Sequence, residues 1–391
     1  MSEWKECELG HLADVKGGKR LPKGEALSEL PSNHPYIRTR DITNHKIKID
    51  ELLFVPDDVF TFISNYTVEE NDLIISIVGT IGLCSIIPKE LHLASLTENC
   101  AKIININNEK LNEKFLFYFF VSEEGQAEIQ SRNVGSTQPK LPLYNIKSIP
   151  IPLPSLREQK AIAAVLSSLD DKIDLLHRQN QTLEALAETL FRQWFVEEGS
   201  MLRSITEFVV LNPKRNLAKN SIAPYLEMAN VSTVVFHPQH WFNREFKSGS
   251  KFVNGDTLLA RITPCLENGK STFVTFLDEQ QVGWGSTEFI VMRSKENLHP
   301  LFSYILAKNK DFRDFAEGCL EGSSGRQRVN IDHLKNYELF LPDGEKLSQF
   351  NNAAASIMPK LNSNFIQIRT LGKLRDTLLP KLMSGEVRVK I

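Results

Sequence analysis

The residues of this chain best suited to chemistry are polar clusters on loop-like segments, and none of them completes a reaction centre. GSSGRQR (322–328) has the glycines of a phosphate loop but not the GK[ST] ending that supplies a lysine and a magnesium-binding hydroxyl. HPQH (237–240) lacks the HExxH spacing that puts two zinc ligands on one helix face. PDGEK (342–346) lacks the spacing of a nuclease carboxylate set and overlaps a helix cap. LNPKR (211–215) shares only Asn212 and Pro213 with the Asn-Pro-Pro-aromatic loop of adenine methyltransferases. The five cysteines, at 7, 84, 100, 265 and 319, include no CxxC pair, and read as buried free thiols rather than as a zinc site or a disulfide framework. The chemistry to expect is binding, not catalysis.

Five segments carry groups suited to DNA. KGGKRLPKGE (16–25) gathers Lys16, Lys19, Arg20 and Lys23 around glycines that let backbone approach a phosphate. RTRDITNHK (38–46) offers Arg38, Arg40, Asn44 and Lys46; arginine can read guanine and asparagine adenine through paired hydrogen bonds. GSTQPK (135–140) offers Thr137, Gln138 and Lys140, and GSSGRQR offers Ser323, Ser324, Arg326, Gln327 and Arg328. ARITPCLENGK (260–270) adds Arg261, Asn268 and Lys270. Any one of these reads equally well as a solvated loop. The net charge of −2 and a pI near 6.5 give no general attraction to nucleic acid, so cations must act locally or partner chains must share the load.

What positions these segments is a repeat. PYIRTRDITN (35–44) matches PYLEMANVST (224–233), VEENDLIISI (68–77) matches FVNGDTLLAR (252–261), and LTENCAKI (96–103) matches STEFIVM (286–292). GSTQPKLPLYNIKSIPIPLP (135–154) matches GSSGRQRVNIDHLKNYELFLP (322–342), and LEALAETLFRQW (183–194) matches LGKLRDTLLPKL (371–382). The recurrence in one order predicts two mixed α/β regions, each followed by a helix. The divisions expected are 1–154, 155–198, 199–342 and 343–391. Strands are expected at 72–78, 101–106, 256–262 and 271–277, and short helices at 111–130 and 300–317. Two diverged copies of one scaffold suggest two different short sequences being read.

The helical segments have their own logic. Ser155 and Glu158 form a capping box. Then Ile162, Leu166, Leu169, Ile173, Leu176, Asn180, Leu183, Ala187, Leu190 and Trp194 alternate four and three apart, a coiled-coil seam with one polar member. Downstream, Asp343 is the expected cap. Phe350, Ala354, Ile357, Leu361, Asn364, Ile368, Leu371, Leu378 and Leu382 make a rougher seam, and Pro359 is expected to kink or end its first part. Two helices of about 40 residues, about 60 Å long, are expected to pack antiparallel in a pseudo-twofold α+β arrangement. The helix face around Leu183, Leu190, Phe191 and Trp194, with Phe191 beside the seam, carries more apolar surface than one partner helix can cover, and Leu190, Phe191 and Trp194 are expected to meet a partner protein.

The run LPSLREQKAIAAVLSSLDDKIDLLHRQNQTLEALAETLFRQWFVE (153–197) closely resembles the central helical region of the specificity subunits of type I restriction–modification enzymes. LLPKLMSGEVRV (378–389) and WKECELGHLADVKGGKR (4–20) are similar to their C-terminal helical region and to the start of their first target-recognition domain. The resemblance implies two target-recognition domains that each read half of a split double-stranded DNA site. It implies helices that set the gap and dock two modification subunits, which use S-adenosylmethionine. It also implies restriction subunits that use ATP and Mg, and no cofactor or catalytic residue in this chain. The alternatives are a self-contained DNA modification enzyme and a coiled-coil adaptor that does not touch DNA. The N-terminus has no signal-peptide core and no apolar run suits a membrane span, so a cytoplasmic protein without membrane contact is expected.

Overall fold

The computed structural model describes residues 4–199, 201–233, 235–238, 240–323 and 326–390. The chain packs as two units. The first comprises Met1–Lys172 with Leu371–Ile391, and the second Ile173–Thr370. Both long helices therefore contribute to both units.

In the first unit, Lys5–Glu8 pairs antiparallel with Pro150–Leu153, so the chain's opening strand meets the strand that leads into the helix. Beside it lies an antiparallel sheet ordered Asp14–Gly17, Cys100–Ile104, Leu73–Ser76, Cys84–Ile86. A smaller sheet places Pro35–Ile37 between Leu53–Phe54 and, in parallel, Ser95–Leu96. The expected helix at 111–130 is two helices, Glu113–Val121 and Glu123–Ser131. Ser122 divides them: its backbone is extended and its hydroxyl accepts from the Gly125 N–H, which starts a new helix.

The second unit repeats this order. Leu202–Ser204 pairs with Glu338–Phe340, and the sheet runs Val209–Leu211, Phe289–Ser294, Thr257–Ala260, Ser271–Phe273. Its other sheet again contains one parallel pairing, Ile222–Leu226 with Gly283–Gly285. The helix expected at 300–317 is broken into Leu301–Lys308 and Lys310–Gly318, where Asn309 caps the Phe312 N–H. A main four-stranded sheet, a second sheet with one parallel pairing and a helix pair recur, as the repeat predicts; the second sheet has three strands in the first unit and four in the second.

The first long helix runs Leu156–Phe191 and the second Gly344–Met383. Ser155 Oγ accepts from the Glu158 N–H at 3.2 Å and Asp343 Oδ1 from the Lys346 N–H at 2.9 Å, so both starts are capped as expected. Only half of the Ser155–Glu158 box forms: the Glu158 carboxylate lies 3.8 Å from Arg388 instead. The second helix does not end at Pro359. The ring lies on the exposed side while Ala354, Ile357 and Leu361 stay buried, so the one lost hydrogen bond leaves an exposed carbonyl that water can satisfy.

Pairing is antiparallel within each unit. In the second, Asn364 Nδ2 donates to Asn180 Oδ1 at 2.8 Å, while Phe350 meets Phe195. In the first, Arg375 Nη1 donates to Asp170 Oδ1 at 2.9 Å, and Leu382 and Met383 join Ile162 and Leu166 in one core. Arg375 fills a seam step that an apolar pattern skips. Each globular core is bonded to a helix through a tyrosine: Tyr118 donates to Asp170 and Tyr304 to Glu184, both at 2.8 Å. Burial raises the pKa of both phenols, so each keeps its proton and stays a donor.

The Asn180–Asn364 pair is flanked along the seam by the apolar residues Leu176, Leu183, Leu361 and Ile368. Asn364→Leu leaves the Asn180 amide buried without its partner and is expected to destabilise the second unit by about 1–3 kcal/mol. Changing both to leucine is expected to recover that loss but loosen register. Urea denaturation of the three proteins checks the order.

His237 is 1% exposed, and burial pushes its pKa down to about 3. It is neutral in the fold but takes a proton near its ordinary value of 6.5 once unfolded. Stability from this group is complete above that value and falls as pH drops from about 6.5 towards 3, by about 1.4 kcal/mol per pH unit. Comparing the pH dependence of unfolding with that of His237→Phe measures it; a curve the variant does not flatten refutes the assignment.

Candidate nucleic-acid interface

In the first unit, backbone hydrogen bonds draw five segments together. Gly18 N–H donates to Cys100 O and Lys19 N–H to Leu96 O, while Tyr36 donates to Lys19 O. Ile77 N–H donates to Asn99 O and Leu141 N–H to Ile77 O, and Val78 bridges Lys140. Thr39, Arg40, Ile42, Val78, Gly79, Thr80, Leu83 and Asn99 line an open cleft of about 440 Å³. The Thr137, Gln138 and Lys140 loop follows Gly135 beside it, and all three side chains are exposed.

The cations divide by role. Lys16, Lys19, Arg20, Lys23 and Arg40 are exposed. Lys19 also sits 5.6 Å from the Tyr66 ring centroid. Arg38 is not available: its guanidinium is forked onto Asp41 at 2.8 Å twice and also donates to Glu51 O. Asp41 is 2% exposed, so Arg38 neutralises a buried carboxylate rather than facing a ligand. Asn44 and His45 both have positive φ and make the two-residue turn between Ile42–Thr43 and Lys46–Ile47, which is why an asparagine stands there. Asn44 and Lys46 are exposed at that turn. The close approach that Gly18 permits is to the chain itself, since a Cβ there would lie 2.1 Å from Thr97 O.

The second unit builds the matching surface. Val329 N–H donates to Arg261 O, Thr263 N–H to Gln327 O and Arg261 N–H to Glu288 O. A cleft of about 480 Å³ is lined by Arg261, Glu321, Gly322, Arg328, Val329, Asn330 and Ile331. Arg326 and Ser323 are exposed, and the Arg326 N–H donates to Ser323 O. Gln327 is half-buried, and Ser324 lies outside the described residues. Arg261 is half-buried and donates to Val329 O, and Asn268 is exposed. Lys270 is corrected to a structural role: its ammonium donates to Met228 O at 3.0 Å and holds the turn that begins there.

Sequence reasoning missed Lys214. It follows the strand Val209–Leu211 as Lys19 follows Asp14–Gly17, and it is exposed. The repeated Lys-Arg pair, 19–20 and 214–215, was the available signal. Arg215 differs from Arg20, because it pairs with the fully buried Asp256. Within LNPKR, Asn212 exchanges two hydrogen bonds with the Val291 backbone. Among the described residues no cluster of three or more histidines, cysteines or carboxylates could hold a metal.

The expected partner face at Leu190, Phe191 and Trp194 is corrected. Phe191 is 0% exposed and packs on Phe195 and Phe302 at 5.5 and 5.4 Å between centroids. Trp194 is buried and Leu190 packs against the same core. A π-turn over Arg192–Glu197 swings Trp194 and Phe195 inward. The wide stripe is covered by the second unit's own globular part, not by a second protein.

Arg38→Ala should destabilise the first unit by about 3 kcal/mol, because it strands a buried charge. Arg40→Ala should change stability by no more than about 0.5 kcal/mol while weakening DNA binding. Thermal unfolding beside a binding assay separates the two; equal loss of stability would refute the division.

Residues 1–185 match the family described as the type I restriction modification DNA specificity domain. The type I restriction enzyme MjaIX specificity subunit of Methanocaldococcus jannaschii is 25% identical over 424 residues, spanning 99% of this chain and 94% of that one. The HindI specificity subunit of Haemophilus influenzae is 22% identical over 470 residues, spanning 99% and 100%. The crystal structure of the type I restriction–modification S subunit from M. genitalium superposes with a TM-score of 0.59 at 15% identity, over 97% of this chain and 96% of that one, and shares the fold. Over nearly its whole length the chain is thus similar to the specificity subunits of type I restriction enzymes, and residues 1–185 match their DNA specificity domain.

Proposed function

We propose that this chain is the DNA-recognition subunit of a type I restriction–modification complex, with each unit reading one half of a split, asymmetric site. The observation that carries the two-half reading is the recurrence of one surface on one sheet order with different side chains: Lys140 bridges Val78 in the first unit where Arg328 bridges Ile262 in the second. Equal scaffolds fix equal geometry, and unequal side chains read unequal bases.

In this reading the chain does no catalysis. Two modification subunits methylate adenine with S-adenosylmethionine, and restriction subunits cleave DNA using ATP and Mg. The helical segments fix the gap between half-sites and dock the modification subunits. Their exposed apolar residues, among them Leu186 and Ile366, take the docking role first expected of Phe191. No helix among the described residues is long and apolar enough to cross a membrane, and the complex works on DNA in the cytoplasm.

Replacing residues 1–154 with the matching region of a related subunit should alter one half-site and leave the other, with the spacer unchanged. Methylation mapping of DNA modified by the assembled complex reads this directly. Change in both halves, or in neither, overturns the reading; absence of any sequence-dependent methylation would favour a coiled-coil adaptor.

A further inference from the structure

Arg328 is exposed, yet its side chain is held fast. Nε donates to Glu288 Oε1 and Oε2 at 3.0 Å each, and Nη2 donates to Oε1 at 2.7 Å. Its backbone is fixed on both sides. The strand Arg328–Val329 pairs with Leu320–Glu321, Arg328 bridges Ile262, and the Val329 N–H donates to Arg261 O. The guanidinium therefore keeps one edge engaged and one edge unengaged among the described residues. The open edge presents an Nη1–H and an Nη2–H side by side at the mouth of the cleft.

Two parallel donors with no acceptor match one base edge in the major groove. Guanine shows O6 and N7 together, both acceptors, whereas adenine and cytosine each place a donor there and thymine shows a single acceptor beside a methyl. Glu288 supplies what a long flexible side chain lacks. It removes most of the rotamers that would otherwise be frozen on binding, and its negative charge repels phosphates that would compete with a base for the arginine. At the matched position of the first unit stands Lys140, which has no carboxylate partner among the described residues and offers a single point charge.

We infer that Arg328, held by Glu288, is the guanine-reading residue of the second unit. The inference rests on the proposed recognition function and adds a base and the residue that selects it. It requires an obligatory guanine in the half-site governed by residues 199–342.

The test uses this chain assembled with its modification subunits on a DNA library randomised across both half-sites. Arg328→Lys keeps the charge but removes the fork. It should lower discrimination at one guanine by roughly 5- to 150-fold, the range for one paired arginine–guanine contact, and leave every other position unchanged. Glu288→Gln should loosen discrimination at that same guanine while raising affinity for unrelated DNA, which a merely structural role would not do. It carries the same decision if Arg328→Lys fails to assemble. Equal weakening on all sequences, with a shallower salt dependence, would make Arg328 a phosphate contact and overturn the inference. So would a second half-site with no required guanine. If the unaltered complex methylates no defined sequence, the recognition function itself fails, a result distinct from either.

Discussion

The constraint on which the structure depends is that each long helix must bury two faces with one sequence. Its seam faces the other helix, and its flank forms the floor of a globular core. Ala187 serves the first purpose and Phe191 the second, and both enter the cluster that holds Phe302 and Phe350. In the first unit Ile162 and Leu166 pack with Leu382 and with the core residues Phe115 and Phe119. A helix buried on two sides cannot slide or turn without opening apolar surface, at about 25 cal/mol for each Å² exposed. The tyrosine hydroxyls that reach Asp170 and Glu184 add direction to a packing that has little of its own.

Rigidity of this kind decides where recognition can live. The loops that carry exposed cations are anchored through backbone groups, so side chains such as Arg40, Lys140 and Arg326 are free to vary without cost to the fold. The clusters that looked alike in sequence separate here. Arg38, Lys270, Arg215 and Arg261 hold carboxylates or carbonyls of their own chain. A chain with a net charge of −2 spends part of its positive charge internally.

Much of this was legible beforehand. The repeat predicted the matched sheets because hydrophobic periodicity is a local signal and each copy repeats it. The seam residues, with an asparagine in each seam, and the caps at Ser155 and Asp343 followed from spacing alone; that Asn180 and Asn364 bond to each other is shown only by the fold. Three further things did not follow. The covering of Phe191 depends on the second globular part, which a helical pattern cannot identify. The continuity of the helix through Pro359 depends on which side the ring faces. The roles of Arg38 and Lys270 depend on Asp41 and the Met228 carbonyl; Asp41 stands three residues from Arg38, but only the fold shows it buried. Gln159 was invisible for the same reason: wholly buried, it accepts from the Asn112 N–H and donates to Lys110 O and Pro154 O, pinning the helix start to a distant loop.

The first unit is discontinuous: Met1–Lys172 is completed by Leu371–Ile391. A ribosome delivers its first strand early and the core residues Leu382 and Met383 only after the whole of Ile173–Thr370. Until Leu382 and Met383 emerge, the surface around Ile162 and Leu166 lacks the part of its cover that the second helix supplies. The second unit, drawn from one continuous stretch, is finished earlier. Of these two units the one that starts first is completed second, and a frameshift after Thr370 would injure the first unit while sparing the second.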